Sequence, residues 1–384
     1  MKSRKIYPIL AAAVCAAVAS SCVSRPAEAK ASASVPRLKA ALFLDDGCRG
    51  NGALLWARIL ARSPEVDLVL LDGKDVRAGK LKGRELLVCP GGGGARQMNA
   101  MKPDGVSKVK SFVEDGGAYL GICAGSYNVM NRKDRFGFLP YDYIPNAAGS
   151  LADLTVEFNE RGAKLFGIKP GRYVFRYHGG NVMRPTPPTG KGEGEALAVF
   201  KSSVSMADRP AYNFMDTPAV VYGNYGKGKV IAVSFHPESY EATNDVALGA
   251  VYALTGVRPK PVLPRKVKRP VRVGFLSLAC VGPRAAREMI SLDRNPKLDV
   301  DIFSTHELRE RGLHHYEVLV LPAGEEKAYK NLMANDFYRS RIVEFLDRGG
   351  RIVASGNGAK YLPEHKNVKR LRTGADFAPA VLDK

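Results

Sequence analysis

Apolar runs at residues 40–44, 66–71, 86–89 and 118–122 lack polar alternation and are too short for helices. That is the pattern of strands buried on both faces. Between them, residues 53–60 and 106–113 carry apolar positions at helical spacing, and Asp115-Gly116-Gly117 ends the second stretch as a glycine cap. Strands and helices in alternation predict an α/β fold with a parallel sheet sandwiched by helices. Residues 151–235 change rhythm. Strand-like segments at 155–158, 173–177, 196–200, 219–222 and 230–235 are separated by Gly, Pro and Asn, and a helix is expected at 246–254. This β-rich half closes the same domain.

The pattern then starts again. Ala41-Leu42-Phe43-Leu44 through Cys48 aligns with Val273-Gly274-Phe275-Leu276 through Cys280, and Leu87-Val88-Cys89-Pro90 with Leu319-Val320-Leu321-Pro322, both at an offset of 232 residues. Val113-Glu114-Asp115-Gly116-Gly117 aligns with Leu346-Asp347-Arg348-Gly349-Gly350 after one inserted residue. Order is kept throughout, so the repeat is a second, smaller α/β domain of the same kind, without a counterpart of the β-rich half. Between the copies, residues 258–270 are basic, proline-rich and non-periodic, which reads as a linker. The expected organisation is a leader at 1–22, a flexible tether at 23–37, a first domain at 38–257, the linker at 258–270, and a degenerate half domain at 271–384.

Chemistry concentrates where the fourth strand ends. Gly121-Ile122-Cys123-Ala124-Gly125 runs an apolar strand straight into a cysteine flanked two residues away on each side by glycine, the spacing of a nucleophile elbow. N–H groups at the start of the following helix face the sulfur and favour thiolate. A cysteine nucleophile needs a base and a group that orients the base. His236 ends the apolar run 230–235, and Glu238, two residues on, can fold back to accept from its ring. Pro90-Gly91-Gly92-Gly93-Gly94 supplies glycine backbone that lets a main chain approach a bound group closely, with a mobile loop as the other reading. Tyr177-His178-Gly179-Gly180-Asn181 is a candidate pocket wall, with His178 or Asn181 on substrate and a plain turn as the other reading. Cys48 and Cys89, at neighbouring strand ends, read as buried packing rather than second thiols. In the second copy Gly356 stands where Cys123 stands in the first, so a thiol nucleophile cannot come from there.

Taken together, these motifs resemble the class I glutamine amidotransferase-like superfamily over residues 38–257. Gly-Ile-Cys-Ala-Gly-Ser-Tyr with Tyr177-His178-Gly179-Gly180 looks more narrowly like the biotin–protein ligase N-terminal-type domain. The resemblance implies a flavodoxin-like sheet, Cys123 as nucleophile, His236 as its base, Glu238 as the orienting carboxylate, and N–H groups of Gly92 or Gly93 and of Ala124 as an oxyanion hole. It implies nothing about biotin, because no ligase catalytic domain occurs in these residues. An amidotransferase must hand ammonia to a synthase, and an exported protein is badly placed for that. Hydrolysis of an amide or γ-glutamyl-type bond through a thioester is the expected reaction, on a small-molecule or peptide substrate. A binding or scaffold protein that keeps the pocket without turnover is the alternative.

Composition adds a location. The formal net charge is +20, with 45% apolar and 25% charged residues. Positive charge clusters in the leader and the linker with no aromatic-interleaved basic face, so nucleic acid is not an expected partner. Lys2, Arg4 and Lys5, an apolar core at 6–18 and Ala19-Ser20-Ser21-Cys22 read as a secretory signal. Ending on Cys22, it resembles a lipoprotein box whose cysteine carries the lipid and anchors the chain to a membrane; cleavage after Ala29 is the other reading. Either way the mature protein is expected in the cell envelope or outside the cytoplasm. Six cysteines at wide spacing show neither a zinc framework nor a dense disulfide scaffold, and no cofactor motif is present.

Overall fold

The computed structural model describes residues 38–187, 192–206, 212–278, 281–365, 369–370 and 380–381. The leader, Cys22, the tether and Cys280 lie outside the described residues. The chain divides between Val262 and Leu263 into two compact units.

In the first unit the strands are β1 (Leu38–Phe43), β2 (Val66–Leu71), β3 (Leu86–Cys89), β4 (Ala118–Ile122), β5 (Tyr141–Tyr143), β6 (Ala152–Phe158), β7 (Gly171–Tyr177), β8 (Met183–Pro185), β9 (Glu195–Phe200), β10 (Pro218–Tyr225) and β11 (Gly228–Val233). Nine of them form one sheet in the order β2-β1-β3-β4-β11-β10-β9-β6-β7. The first five in that order are parallel, which is the doubly wound order of a flavodoxin-like fold with β11 as the fifth strand. The remaining four run antiparallel, each to its neighbour. β1, β3, β4 and β11 are buried almost throughout, as strands covered on both faces must be. The antiparallel half curls back: the carbonyl of Arg176, near the end of β7, accepts the backbone N–H of His236 at 2.8 Å. The chain has a mixed α/β fold built on this nine-stranded sheet, with a second, smaller four-stranded sheet.

One helix differs from expectation. The segment expected at 106–113 is the second part of Gly94–Glu114, broken at Lys102 (φ 59°, ψ 169°) ahead of Pro103. Proline disfavours α geometry in the residue before it, so two helical segments meet at a corner. The first of them starts directly from the glycine run, where sparse apolar spacing hides it.

The second unit holds β12 (Val271–Leu276), β13 (Leu298–Phe303), β14 (Val318–Leu321) and β15 (Arg351–Ala354). These are parallel in the order β13-β12-β14-β15, the same arrangement as β2-β1-β3-β4. Leu276, Phe303, Leu319, Tyr329, Phe345 and Leu346 lie in its hydrophobic core. The basic stretch between the units is bonded at both ends. Arg258 donates to the Phe166 carbonyl (2.9 Å) and Val262 N–H to Arg62 (2.9 Å), while Lys266 donates to Asp293 (2.9 Å) and Val267 to Pro296 (3.0 Å).

Candidate active site

Three neighbouring strands of the parallel sheet, β3, β4 and β11, deliver the chemistry at their carboxyl ends. β3 runs into Gly91-Gly92, β4 into Cys123, and β11 through Ser234-Phe235 into His236. Register fixes them side by side, with Gly121 opposite Cys89 and Ile122 opposite Val233. Carboxyl strand ends are where ligands bind in open α/β sheets. A groove of about 1050 Å³ lined by Lys82, Asp104, Phe112 and Gly117 lies at the opposite ends of the strands, away from this chemistry.

Cys123 is the turn itself. It has φ 49° and ψ −101°, a conformation that costs a non-glycine residue roughly 1–3 kcal/mol and persists only where the surroundings over-determine it. Those surroundings are explicit. The Cys123 N–H donates to Val233 at 2.7 Å, and its carbonyl accepts from Ser126 N–H and from Ser126 Oγ (2.6 Å). A Cβ on Gly121 would meet the Gly125 carbonyl at 2.4 Å, and one on Gly125 the Cys89 carbonyl at 2.0 Å, so both flanking glycines are sterically required. Tyr119 donates its hydroxyl to Gly125 (3.1 Å) and packs edge-on against Phe136 and Phe138, an apolar footing under the elbow. The helix after Cys123 is a single turn, Ala124–Tyr127.

His236 Nδ1 lies 2.8 Å from Glu238 Oε1, with the imidazole 13% and the carboxylate 0% exposed. The other edge of the ring lies beside Cys123. Gly91 permits this meeting, because a Cβ there would sit 2.6 Å from His236 Cε1 and 3.5 Å from Cys123 Cβ. Gly52 does the same on the far side, where a Cβ would lie 2.4 Å from Glu238 Oε1. Burial by itself would pull the imidazole down; the Glu238 carboxylate and Cys123 outweigh it and hold His236 well above the ordinary histidine value.

Of the two glycines expected to supply oxyanion donors, Gly93 is excluded, since its N–H donates to the Gly47 carbonyl at 2.8 Å. Among the described residues neither Gly92 N–H nor Ala124 N–H has an acceptor. Gly92 adopts φ 137°, and a Cβ would strike the Gly47 carbonyl at 1.9 Å, so only glycine fits. The pair Gly92 and Ala124 is therefore what the geometry offers a developing oxyanion.

Tyr177 and Asn181 are corrected from pocket wall to support. Tyr177 is fully buried, and its hydroxyl donates to Gly180 (2.7 Å) while accepting from Gly149 N–H (3.1 Å). Asn181 is fully buried against Ser126 Oγ at 2.7 Å. His178 keeps an exposed side chain, but the group it brings to the thiol is its carbonyl, 3.5 Å from Cys123 Sγ. Gly180 makes this possible, because a Cβ there would meet the Ser234 carbonyl at 1.7 Å.

The remaining candidates stay outside the chemistry. Cys48, Cys89 and Cys123 are free and buried. Burial pushes the Cys89 thiol up to about 12 and raises Cys48 well above the usual range, so neither is a thiolate near neutrality. Asp45 caps Gly73 N–H at 2.7 Å and Asp46 faces Arg96 at 3.6 Å. Among the described residues no cluster of His, Cys, Asp and Glu suits a metal, and no helix is long and apolar enough to cross a membrane. Sequence reasoning missed Gln97 and Asn128, two fully buried amides bonded to each other beneath the site.

Comparison with known proteins adds the following. Residues 81–134, from before β3 to beyond the elbow, match the family model described as "Biotin-protein ligase, N terminal". An uncharacterized protein of Chlamydia muridarum is 44% identical over 43 residues, which is 11% of this chain and spans only 17% of that protein. Among solved structures, a thua-like protein from Bacteroides uniformis aligns at 15% identity and TM-score 0.43 over 60% of this chain and 95% of its own. A GMP synthase protein from Thermoplasma acidophilum aligns at 16% and 0.39 over 57% and 96%. A protein described as a glutamine amidotransferase aligns at 20% and 0.39 over 57% and 100%. Over the stretch that carries its elbow, the chain is similar to the biotin–protein ligase N-terminal family.

Proposed function

We propose that this protein is a cysteine-dependent hydrolase of amide or γ-glutamyl-type bonds, working through a thioester outside the cytoplasm. The observation that carries the reading is His236, bonded through Nδ1 to the buried Glu238 and lying beside Cys123. In that reading the Cys123 thiolate attacks the substrate carbonyl, and the negative oxygen that forms points at Gly92 and Ala124 N–H. The tetrahedral species collapses as His236 gives its proton to the departing amine and the C–N bond breaks. Water, losing a proton to His236, then attacks the thioester, releases the acid and restores the thiol. Glu238 holds the ring orientation and balances its charge.

A binding protein without turnover is the second reading, favoured by one observation: Gly356 holds the same turn in the second unit with no thiol. Iodoacetamide labelling across pH separates the two. The hydrolase reading expects Cys123 to label well below the pH at which an unfolded thiol does, and His236→Ala to slow it. If Cys123 labels no faster than an unfolded thiol, the binding reading takes its place. The proposed envelope location rests on the leader, with Cys22 as lipid anchor; palmitate labelling unchanged in Cys22→Ala would rule out that residue.

A further inference from the structure

The two candidate oxyanion donors belong to segments far apart in the chain, so something must fix their spacing. Gly92 follows β3, and Ala124 opens the turn after β4. The segments touch at Gly94, where a Cβ would lie 2.9 Å from Asn128 Oδ1 and 3.1 Å from the Ala124 carbonyl. Across that contact runs one side-chain bond, Asn128 Nδ2 donating to Gln97 Oε1 at 2.9 Å. Gln97 in turn donates through Nε2 to the Pro90 carbonyl at 2.9 Å, at the root of the glycine loop. Both amides are fully buried. A buried polar side chain that joins two loops limits their relative motion, because each bond lost leaves a desolvated group unsatisfied.

The second unit makes the corresponding contacts with different residues. At the offset of 232, Gln97 corresponds to Tyr329 and Pro90 to Pro322, and Tyr329 donates its hydroxyl to Pro322 at 2.6 Å. The loop anchor is thus kept by a different residue. The two segments are joined there as well, but by other residues: Asn128 corresponds, after the one-residue insertion, to Tyr361, whose hydroxyl donates to the exposed Glu326 at 2.7 Å, and Asn357 Nδ2 donates to the Gly324 carbonyl at 2.9 Å. The fully buried amide pair belongs to the unit that carries the cysteine.

We infer that Gln97 and Asn128 are positioning residues, an amide pair that sets the distance between Gly92 N–H and Ala124 N–H. The inference rests on the reading that Cys123 performs acyl transfer. Its test compares two reactions at one sulfur. With p-nitrophenyl acetate, the Cys123 thiolate attacks the ester carbonyl, an oxyanion forms, and p-nitrophenolate departs to leave S-acetyl-Cys123. With iodoacetamide, the thiolate displaces iodide and no oxyanion develops.

In Gln97→Tyr, which copies the second unit and keeps a donor for Pro90, acetylation should fall about 10–100-fold while the alkylation rate and its pH profile stay as in wild type. Asn128→Ala should reproduce the effect from the other side of the bond. Acetylation that is unchanged in both variants overturns the inference. So does a proportional fall of acetylation and alkylation, which is what general loosening of the elbow would give. A wild-type Cys123 that alkylates like an unfolded thiol is a different failure, seen before any variant is made, and it removes the hydrolase reading and this inference together.

Discussion

The chain makes the same sharp turn twice, at Cys123 with φ 49° and ψ −101° and at Gly356 with φ 52° and ψ −125°. The packing around the two turns matches in detail. Gly125 lies close against the Cys89 carbonyl and Gly358 against that of Leu321, while Gly117 and Gly350 each lie against a phenylalanine ring, Phe112 and Phe345. What differs is the company the turn keeps. The first faces His236 and Glu238, which arrive on β11 from the β-rich half. In the second, Glu288 is buried beside the turn, hydrogen-bonded to Ser355 Oγ at 3.2 Å and raised by burial despite Arg284 nearby. The turn is therefore a property of the strand and its glycines, and catalytic potential comes from what a separate part of the sheet brings to it.

Replacing Cys123 with glycine makes the first turn like the second, and it carries the largest expected effect. Thiol labelling at this position disappears entirely. Because a side chain no longer has to be held in that conformation, the urea midpoint should rise, by the equivalent of about 1 kcal/mol once glycine's unfolded-state entropy is set against the relieved strain. A lower midpoint would mean that the cysteine side chain stabilises the turn.

Next comes Gly92→Ala. The added methyl meets the Gly47 backbone, which cannot swing aside as a flexible side chain can, and the φ of 137° is closed to alanine. Loss of more than about 2 kcal/mol in chemical denaturation is expected, with acetylation of Cys123 falling even where the protein stays folded. Normal acetylation in folded Gly92→Ala would remove Gly92 from the oxyanion hole.

Glu238→Gln tests the electrostatics. The His236 value is raised in the folded protein, so the native state holds an extra proton from about pH 6.5 up to that elevated value. The associated stability is fully present below about pH 6.5 and is lost as pH rises through the folded value. Denaturation midpoints of wild type should fall across that window, and the Gln variant should show a flatter profile with slower alkylation of Cys123 near neutrality. An identical slope in the two proteins would show that Glu238 does not hold the proton on His236.

The smallest effect belongs to Gly356→Ala. Positive φ costs alanine about 1 kcal/mol, and its Cβ would reach only van der Waals distance from Ala323 Cβ, 3.4 Å away. Calorimetry should register that loss with no change in Cys123 labelling; altered labelling would mean that the second turn influences the first.

Much of this was legible in the residues. Four short apolar strands, written twice in the same order with one residue inserted, announce a parallel sheet, and the structure returns the same strand order in both units. Gly121 and Gly125 mark the elbow because small residues are the only ones that fit it. His236-Pro237-Glu238 stands out at the end of an apolar strand. Gln97 and Asn128 left no such mark, since a buried amide and a solvated one look alike in a single sequence. Gly93 misled for a related reason: four glycines in a row do not say which N–H is already engaged. Tyr177 and Asn181 sit beside the site in sequence and under it in space, a distinction that only packing makes.

The matching turn at Gly356 has a mutational consequence. A Gly356→Cys substitution would give the second turn the sulfhydryl that the first one has. Glu288, bonded to the residue just before it, would then be the nearest titratable neighbour, and a carboxylate holds a thiol in its protonated form. Such a mutant would gain a sulfur atom and remain chemically silent, because the imidazole that turns a thiol into a nucleophile is supplied by β11 alone.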